Sequence, residues 1–523
     1  MSQALRGFLP SMLFNSYIFI LLFLPLTYAL WTVARRFAGV SWAIAALLAA
    51  SLVFYGASAR FELLLLVAAI VLNHHLAGVI HRHRLTPLGR RWMRLAVAGN
   101  LLFLFVFKYT GFVTQTAADT LGWPAMAIHI ALPIGISFYT FQQIAYLVDV
   151  ARGEGEPWPL PRYALFVVFF PHLIAGPIVH HRELIPQFAS GARTARIGDL
   201  ALGLSIFTIG LAKKVLVADS FALVASPVFN AAAQGAQPGL FDAWAAAVAY
   251  ALQIYFDFSA YSDMAIGLGR MFGIQMPINF ASPYRSLSIV EFWRRWHITL
   301  SRFLRDYLYI PLGGNRHGPA RRYLNVFTTM LLGGIWHGAG FTFILWGALH
   351  GVLIVACQAW RSSRFHLPLP AALAWLLTMA TVILAWVPFR AADIATAGRV
   401  YAGLFGLAGE LHMPALDYAP SATLELILGA LHPGIAWNVW LSLGAGAAGL
   451  LACLSLPNVQ TLFRRYGVGL PTRGYADGIE PPAFGRLGAA WRPHPLAAVA
   501  IGLLLAACIL KLNDVSEFIY FRF

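Results

Sequence analysis

Charge is what this chain of 523 residues has least of. Asp, Glu, Lys and Arg make up 11% of it, where water-soluble globular proteins carry about a quarter. That scarcity excludes a soluble multi-domain enzyme. Cysteine is nearly absent too. Cys357, Cys453 and Cys508 stand singly in apolar stretches, without the Cys/His spacing of a zinc site or the paired set of a disulfide framework, so no metal site and no disulfide is expected. Acidic residues are the scarcer charge, 21 against 37 Lys and Arg, leaving a net charge of +16. This excess does not point to nucleic acid, because the basic residues cluster in loops between apolar runs, as the positive-inside bias of membrane proteins requires. Such loops hold to anionic lipid headgroups or meet an anionic cytoplasmic substrate. Repeats, low-complexity tails and a second soluble domain are also lacking, so residues 1–523 read as one membrane-embedded domain.

What is present is apolar sequence, 59% of the chain, in runs that reach or approach the roughly 20 residues a helix needs to cross a bilayer. Spans are expected near 14–33, 39–56, 61–80, 95–113, 127–148, 163–180, 198–218, 240–256, 323–340, 341–358, 370–388, 437–456 and 494–511. The fold class is therefore all-α: a polytopic integral membrane protein of roughly ten to thirteen transmembrane or re-entrant helices around a central channel. The first run, "SYIFILLFLPLTYALW", lacks a small-x-small cleavage site and is expected to stay as an anchor. Arg35 and Arg36, the block 81–94, the block 294–322 and the later basic loop with Arg464 and Arg465 fall on one side if the N-terminus is outside. Residues 400–435 hold no Lys or Arg and read as an external loop. Counting spans onward brings the C-terminus outside. Lys213 and Lys214 interrupt an apolar run and leave the topology of 181–239 open. Pro, Gly, Gln and Asp in "LPIGISFYTFQQ" and "FDFSAYSDMAIGLG" suggest broken spans lining an internal cavity. The polar loop near 457–493 reads as a connection.

Two stretches carry chemistry. In "EFWRRWHITLSRFLRDYLYIPLGGNRHG", Trp293, Trp296, Leu300, Phe303, Leu304 and Tyr307 recur at helical spacing. Arg295, Thr299, Arg302 and Asp306 form the opposite face, with Arg302 and Asp306 four apart and able to pair. An interfacial amphipathic helix explains most of this, but not His297. The next apolar run contains "GGIWHGAGF", which sets His337 among glycines. A lone histidine in an apolar helix is commonly a packing residue. An imidazole titrating near neutral pH is also the side chain best suited to accept a hydroxyl proton inside an apolar site. The glycines at 333, 334, 338 and 340 would let a substrate chain approach closely. Counted from Tyr323, His337 lies about 21 Å along its helix, a depth that calls for a membrane-embedded passage.

These two stretches resemble the membrane-bound O-acyltransferase family, in particular its bacterial branch with the alginate O-acetylation membrane protein and the D-alanyl transfer membrane protein of teichoic acid synthesis. "FKYTGF", "LPIGISFYTFQQIAYLVDVARGE", "FFPHLIAGPIVHHRELIPQF", "LQIYFDFSAYSDMAIGLGRMFGI" and "NFASPYRSLSIVEFWRRWH" extend the resemblance along most of the chain. It implies that His337 and His297 are the two functional histidines, His337 being the catalytic one. The C-terminal "SEFIYFRF" (516–523) is similar to the aromatic tails of acyl-relay proteins of this branch, which makes Tyr520 a candidate acyl carrier; an aromatic interface belt is the competing reading.

The resemblance further implies an acyl-CoA donor, acetyl-CoA foremost, with no bound cofactor. Arg294, Arg295 and Arg302 are candidate donor-binding residues, since guanidinium pairs well with phosphate. It implies an extracytoplasmic acetyltransferase partner, an exported polysaccharide such as alginate as final acceptor, and multi-pass residence in a bacterial cytoplasmic (inner) membrane. Two rivals stay open. A transporter or flippase of lipid-linked sugar would suit broken spans, although no inverted repeat or intramembrane charge ladder is evident. A lipid O-acyltransferase would use the same histidines.

Overall fold

The computed structural model describes residues 12–122, 130–365, 367–408, 439–470, 491–512 and 518–519. Helices account for nearly all regular structure there, and the only β pairing among the described residues is an isolated bridge, Pro277 to Leu470. In chain order the helices are α1 (Ile18–Ala38), α2 (Val40–Ser58), α3 (Arg60–His83), α4 (Pro87–Leu121), α5 (Ile136–Arg152), α6 (Leu160–Val168), α7 (His181–Thr194), α8 (Ile197–Ala233) and α9 (Leu240–Met271). They continue with α10 (Ile289–Arg295), α11 (Ile298–Leu304), α12 (Gly318–His337), α13 (Phe341–Ser362), α14 (Ala371–Arg390), α15 (Ile394–Leu404), α16 (Val439–Ser455) and α17 (Pro495–Leu510). Seven, α1–α4, α8, α13 and α14, are long and apolar enough to cross a membrane. The apolar α16 and α17 are shorter.

The outer helices turn apolar side chains outward: Leu22, Phe61, Leu64, Leu102 and Leu503 are all more than half exposed, a surface suited to lipid. The chain is a multi-pass membrane protein. At its centre runs α9, buried along most of its 32 residues. It belongs to both apolar cores, one built mainly with α1–α7, the first half of α8 and α11, the other with the second half of α8, α10 and α13–α16. The α8/α9 crossing is close because both helices present glycine: a Cβ on Gly267 would stand 2.6 Å from the Gly203 carbonyl oxygen, the small-residue contact typical of membrane helix pairs.

Several expectations change. "FDFSAYSDMAIGLG" does not break its span; α9 runs through it unbroken. Its carboxylates are neutralised from α8, Asp263 by Lys213 at 2.8 Å and Asp257 by Lys214 at 2.7 Å. Lys213 and Lys214 therefore do not end α8, which passes them in a π-helical turn, Lys213–Ala218. A sequence without an evident charge ladder thus carries two charge pairs in its interior. The expected span 163–180 is only the short α6 followed by a buried irregular stretch. "LPIGISFYTFQQ" does have its break: Gly135 takes φ +72°, with a would-be Cβ 2.8 Å from the Leu173 carbonyl oxygen, and α5 starts at Ile136.

The ends of the bundle sort the loops. Tyr17, just before α1, donates to the Ile509 carbonyl near the end of α17 at 2.9 Å, so these two points share one end. Arg35, at the far end of α1, reaches the Ala195 carbonyl at 3.0 Å.

Candidate functional site

His337 is the last residue of α12, and Gly338 after it turns extended. The final carbonyls of a helix have no partner within it, and here they are buried in the bundle. Two consecutive residues of α4 supply the partners. Lys108 Nζ lies 2.6 Å from the Trp336 oxygen, 2.9 Å from the His337 oxygen and 3.4 Å from Ser137 Oγ. Tyr109 donates to the Ile335 carbonyl at 2.7 Å. Lys108 Nζ thus has three acceptors within reach, at the end of α12 where the helix dipole is negative. The imidazole itself is 4% exposed, boxed by Trp336 and Trp346 at 4.9 Å each and Phe389 at 5.3 Å.

His297 is mounted differently. The expected single amphipathic helix is two helices, α10 and α11, broken at Trp296–His297, and His297 takes φ 42°, ψ 53°. A non-glycine residue in the left-handed region is held there by its surroundings. Ile298 N–H donates to the Asn279 carbonyl at 2.9 Å and Ala281 N–H to the Arg295 carbonyl at 3.0 Å. The Asn279 side-chain oxygen accepts from Thr299 N–H and Thr299 Oγ1, and meets His297 Nδ1 at 3.1 Å. The backbone N–H of Thr299 can only donate, so that atom is the oxygen and Nδ1 carries the proton facing it. The neutral imidazole then keeps its lone pair on Nε2. Phe258 of α9 stands edge-on to the ring at 4.7 Å.

One aromatic cluster links the two histidines: Trp346, 4.9 Å from the His337 ring, packs on Trp386 at 5.8 Å, and Trp386 meets Trp296, the residue before His297, at 4.9 Å. His350, on α13 and fully buried, was not singled out from sequence. Its Nδ1 faces Trp293 Nε1 at 3.2 Å, and since indole N–H only donates, this histidine has the opposite tautomer, with the proton on Nε2. Two of the glycines around His337, Gly334 and Gly338, do not leave the room expected of them. A Cβ at Gly334 would run into the Phe343 carbonyl and Gly347, and one at Gly338 into the Phe343 ring. They serve the α12/α13 contact.

The arginines separate. Arg294 is exposed, whereas Arg295 bonds Glu291 through Nε and Nη2 at 2.9 and 2.7 Å. Arg302 forks onto Glu183 at 2.7 and 2.9 Å. It does not pair with Asp306, which binds its neighbour Arg305 at 2.7 Å, because α11 ends at Leu304 and the next turn is π-helical. Asp149 gathers Tyr307 Oη at 2.8 Å and His181 Nε2 at 3.2 Å, so α5, α7 and the turn after α11 lock together.

Tyr520 lies outside the described residues. Phe518 and Ile519 just before it are buried, 1% and 9% exposed, against α8 and α9. Among the described residues no group of three or more His, Cys, Asp or Glu side chains could hold a metal ion. Lys108 could have been found from sequence, since a lysine inside an apolar run is a functional hypothesis by default. Asn279 could not, because only the chain path sets it under His297.

The sequence matches the membrane-bound O-acyltransferase family over residues 50–391, which takes in both histidines, Lys108 and Asn279. A Helicobacter pylori protein named peptidoglycan O-acetyltransferase is 42% identical over 433 residues, 76% of this chain and 80% of that protein. A Pseudomonas aeruginosa protein named probable alginate O-acetylase is 39% identical over 542 residues, covering 98% of this chain and 100% of its own length. A Bacillus subtilis teichoic acid D-alanyltransferase is 25% identical over 331 residues, 58% of this chain and 82% of the relative.

Proposed function

Because the chain belongs to the membrane-bound O-acyltransferase family, we propose that this membrane acyltransferase moves an acetyl group from cytoplasmic acetyl-CoA across a bacterial inner membrane, for O-acetylation of an exported polysaccharide such as alginate. The observation that carries the reading is the pairing of His337 and His297, buried imidazoles from separate helices with their mounts fixed by Lys108 and Asn279. A neutral imidazole can be buried at far lower cost than a fixed charge and still take a proton.

In this mechanism the thioester arrives from the side of the basic 294–322 block, where Arg294 is the arginine free to meet phosphate and Arg295 and Arg302 would first have to leave their carboxylates. His337 accepts the hydroxyl proton of Tyr520 as that oxygen attacks the acetyl carbonyl. The C–S bond breaks, and the departing thiolate takes the proton from the imidazolium. The resulting aryl ester is an activated donor, which an extracytoplasmic acetyltransferase partner uses on the polymer. His297, with its lone pair on Nε2, steadies the incoming hydroxyl or the imidazolium. Because His337 is only 4% exposed, the donor reaches it through movement of its aromatic walls.

The test is purified protein in liposomes with radiolabelled acetyl-CoA. Label on the peptide containing Tyr520, lost in His337→Ala and in Tyr520→Phe, is the expected result. Label on His337 in the Tyr520→Phe protein makes the imidazole a covalent carrier, and label on membrane lipid makes the protein a lipid acyltransferase. Passage of an intact glycolipid with no label transferred overturns the acyl chemistry.

A further inference from the structure

The charge pairs that Lys213 and Lys214 make with α9 do different things. Lys213–Asp263 closes on itself, but Lys214–Asp257 is 2% and 1% exposed and has a visitor. Asp257 Oδ1 meets Lys214 Nζ at 2.7 Å, while its other oxygen accepts the backbone N–H of Ile519 at 2.9 Å. Lys214, held also by Asp219 at 2.9 Å, lies 4.8 Å from the centre of the Phe518 ring. Tyr261 stands edge-on to that ring at 5.0 Å.

A buried ion pair is poor evidence for stability, since apolar residues of the same volume hold helices together as well or better. An apolar pair could not, however, accept an N–H from an incoming backbone or offer an ammonium to an aromatic face. Spacing along α9 places this pair beside the chemistry. Asp257 and Tyr261, four apart on one stripe, touch Phe518–Ile519. Phe258 and Ser262, four apart on the next stripe, touch the mount of His297: Phe258 against its ring and Ser262 at 3.2 Å from Asn279 Nδ2. Two helical turns thus carry the visitor on one side and His297 on the other.

We propose that the Lys214–Asp257 pair is an intramolecular docking site for the C-terminal segment of this chain, recognising an aromatic ring followed by a free backbone N–H, and that it seats this segment next to the mount of His297. What the seated segment does there rests on the relay reading above; the docking does not.

The test uses the full-length protein in lipid nanodiscs with carboxypeptidase, following loss of C-terminal residues by intact mass and measuring acetyl transfer in parallel. Ile519→Pro removes the donated N–H and leaves the ion pair whole; Phe518→Ala removes the ring. Loss of a hydrogen bond to a charged group should speed release of terminal residues about tenfold or more, and Lys214→Met/Asp257→Leu, which keeps the helices packed, should do the same. A tail equally resistant in all three variants overturns the docking site. A tail released while transfer continues at the wild-type rate leaves the site standing and removes the relay. Tyr520→Phe with a resistant tail and lost transfer supports both.

Discussion

His297 and His337 are held by opposite means. His297 is fixed through its ring: a left-handed backbone and a hydrogen bond from Nδ1 to Asn279 set its orientation and its tautomer. His337 is fixed through its backbone, Lys108 and Tyr109 gripping the last three carbonyls of α12, while its ring stands among aromatic faces. A ring locked by a hydrogen bond has one proton arrangement and suits orientation of a partner. A ring held by packing on a rigid stem can take up and return a proton without breaking its support. We propose that His337 transfers the proton and that His297 positions the hydroxyl.

The assignment breaks most visibly at His337 itself. His337→Ala should lower acetyl transfer by about three orders of magnitude or more, the scale of a lost general base, with membrane insertion and abundance unchanged; near-normal transfer refutes it. His297→Ala should cost less, about a hundredfold. Asn279→Ala should follow it within a few-fold, because the unmet buried groups cost about 1–3 kcal/mol. If Asn279→Ala left transfer intact, the locked tautomer would be irrelevant.

Lys108 sharpens the other side of the comparison. Lys108→Met strips two carbonyls of their partner and should lower the turnover number about tenfold or more at unchanged donor KM, with partial recovery in Lys108→Arg. Tyr109→Phe removes one neutral bond and should cost about three- to tenfold. A KM effect with normal turnover would place Lys108 in donor binding. The smallest effects are expected at the arginines. Arg294→Ala should raise donor KM by a few-fold, the scale of one exposed charge. Arg302→Ala, which strands Glu183, should lower thermal stability, read by melting in detergent, before it alters donor affinity.

Much of this was legible in the chain. Apolar runs separated by basic loops announce a polytopic bundle, and His337 stands out because no Asp, Glu, Lys or Arg interrupts residues 323–360. Less legible were contacts between distant segments. Lys213 and Lys214 look like a break in α8 until Asp263 and Asp257 are seen opposite them, and the aspartates look like a break in α9 for the same reason. Arg302 has a plausible partner four residues on and a better one in Glu183, 119 residues away. The glycines of "GGIWHGAGF" suggested space, yet the facing helix α13 fills it.

Composition and motif spacing, which also single out His297 and His337, therefore determined that this protein lives in a membrane and is helical. Both follow from local chemistry, since the cost of putting polar groups in lipid acts residue by residue. How those imidazoles are held, which tautomer His297 adopts and where Phe518–Ile519 lodge were decided only by the tertiary structure, because each depends on partners that the chain path alone brings within hydrogen-bonding distance.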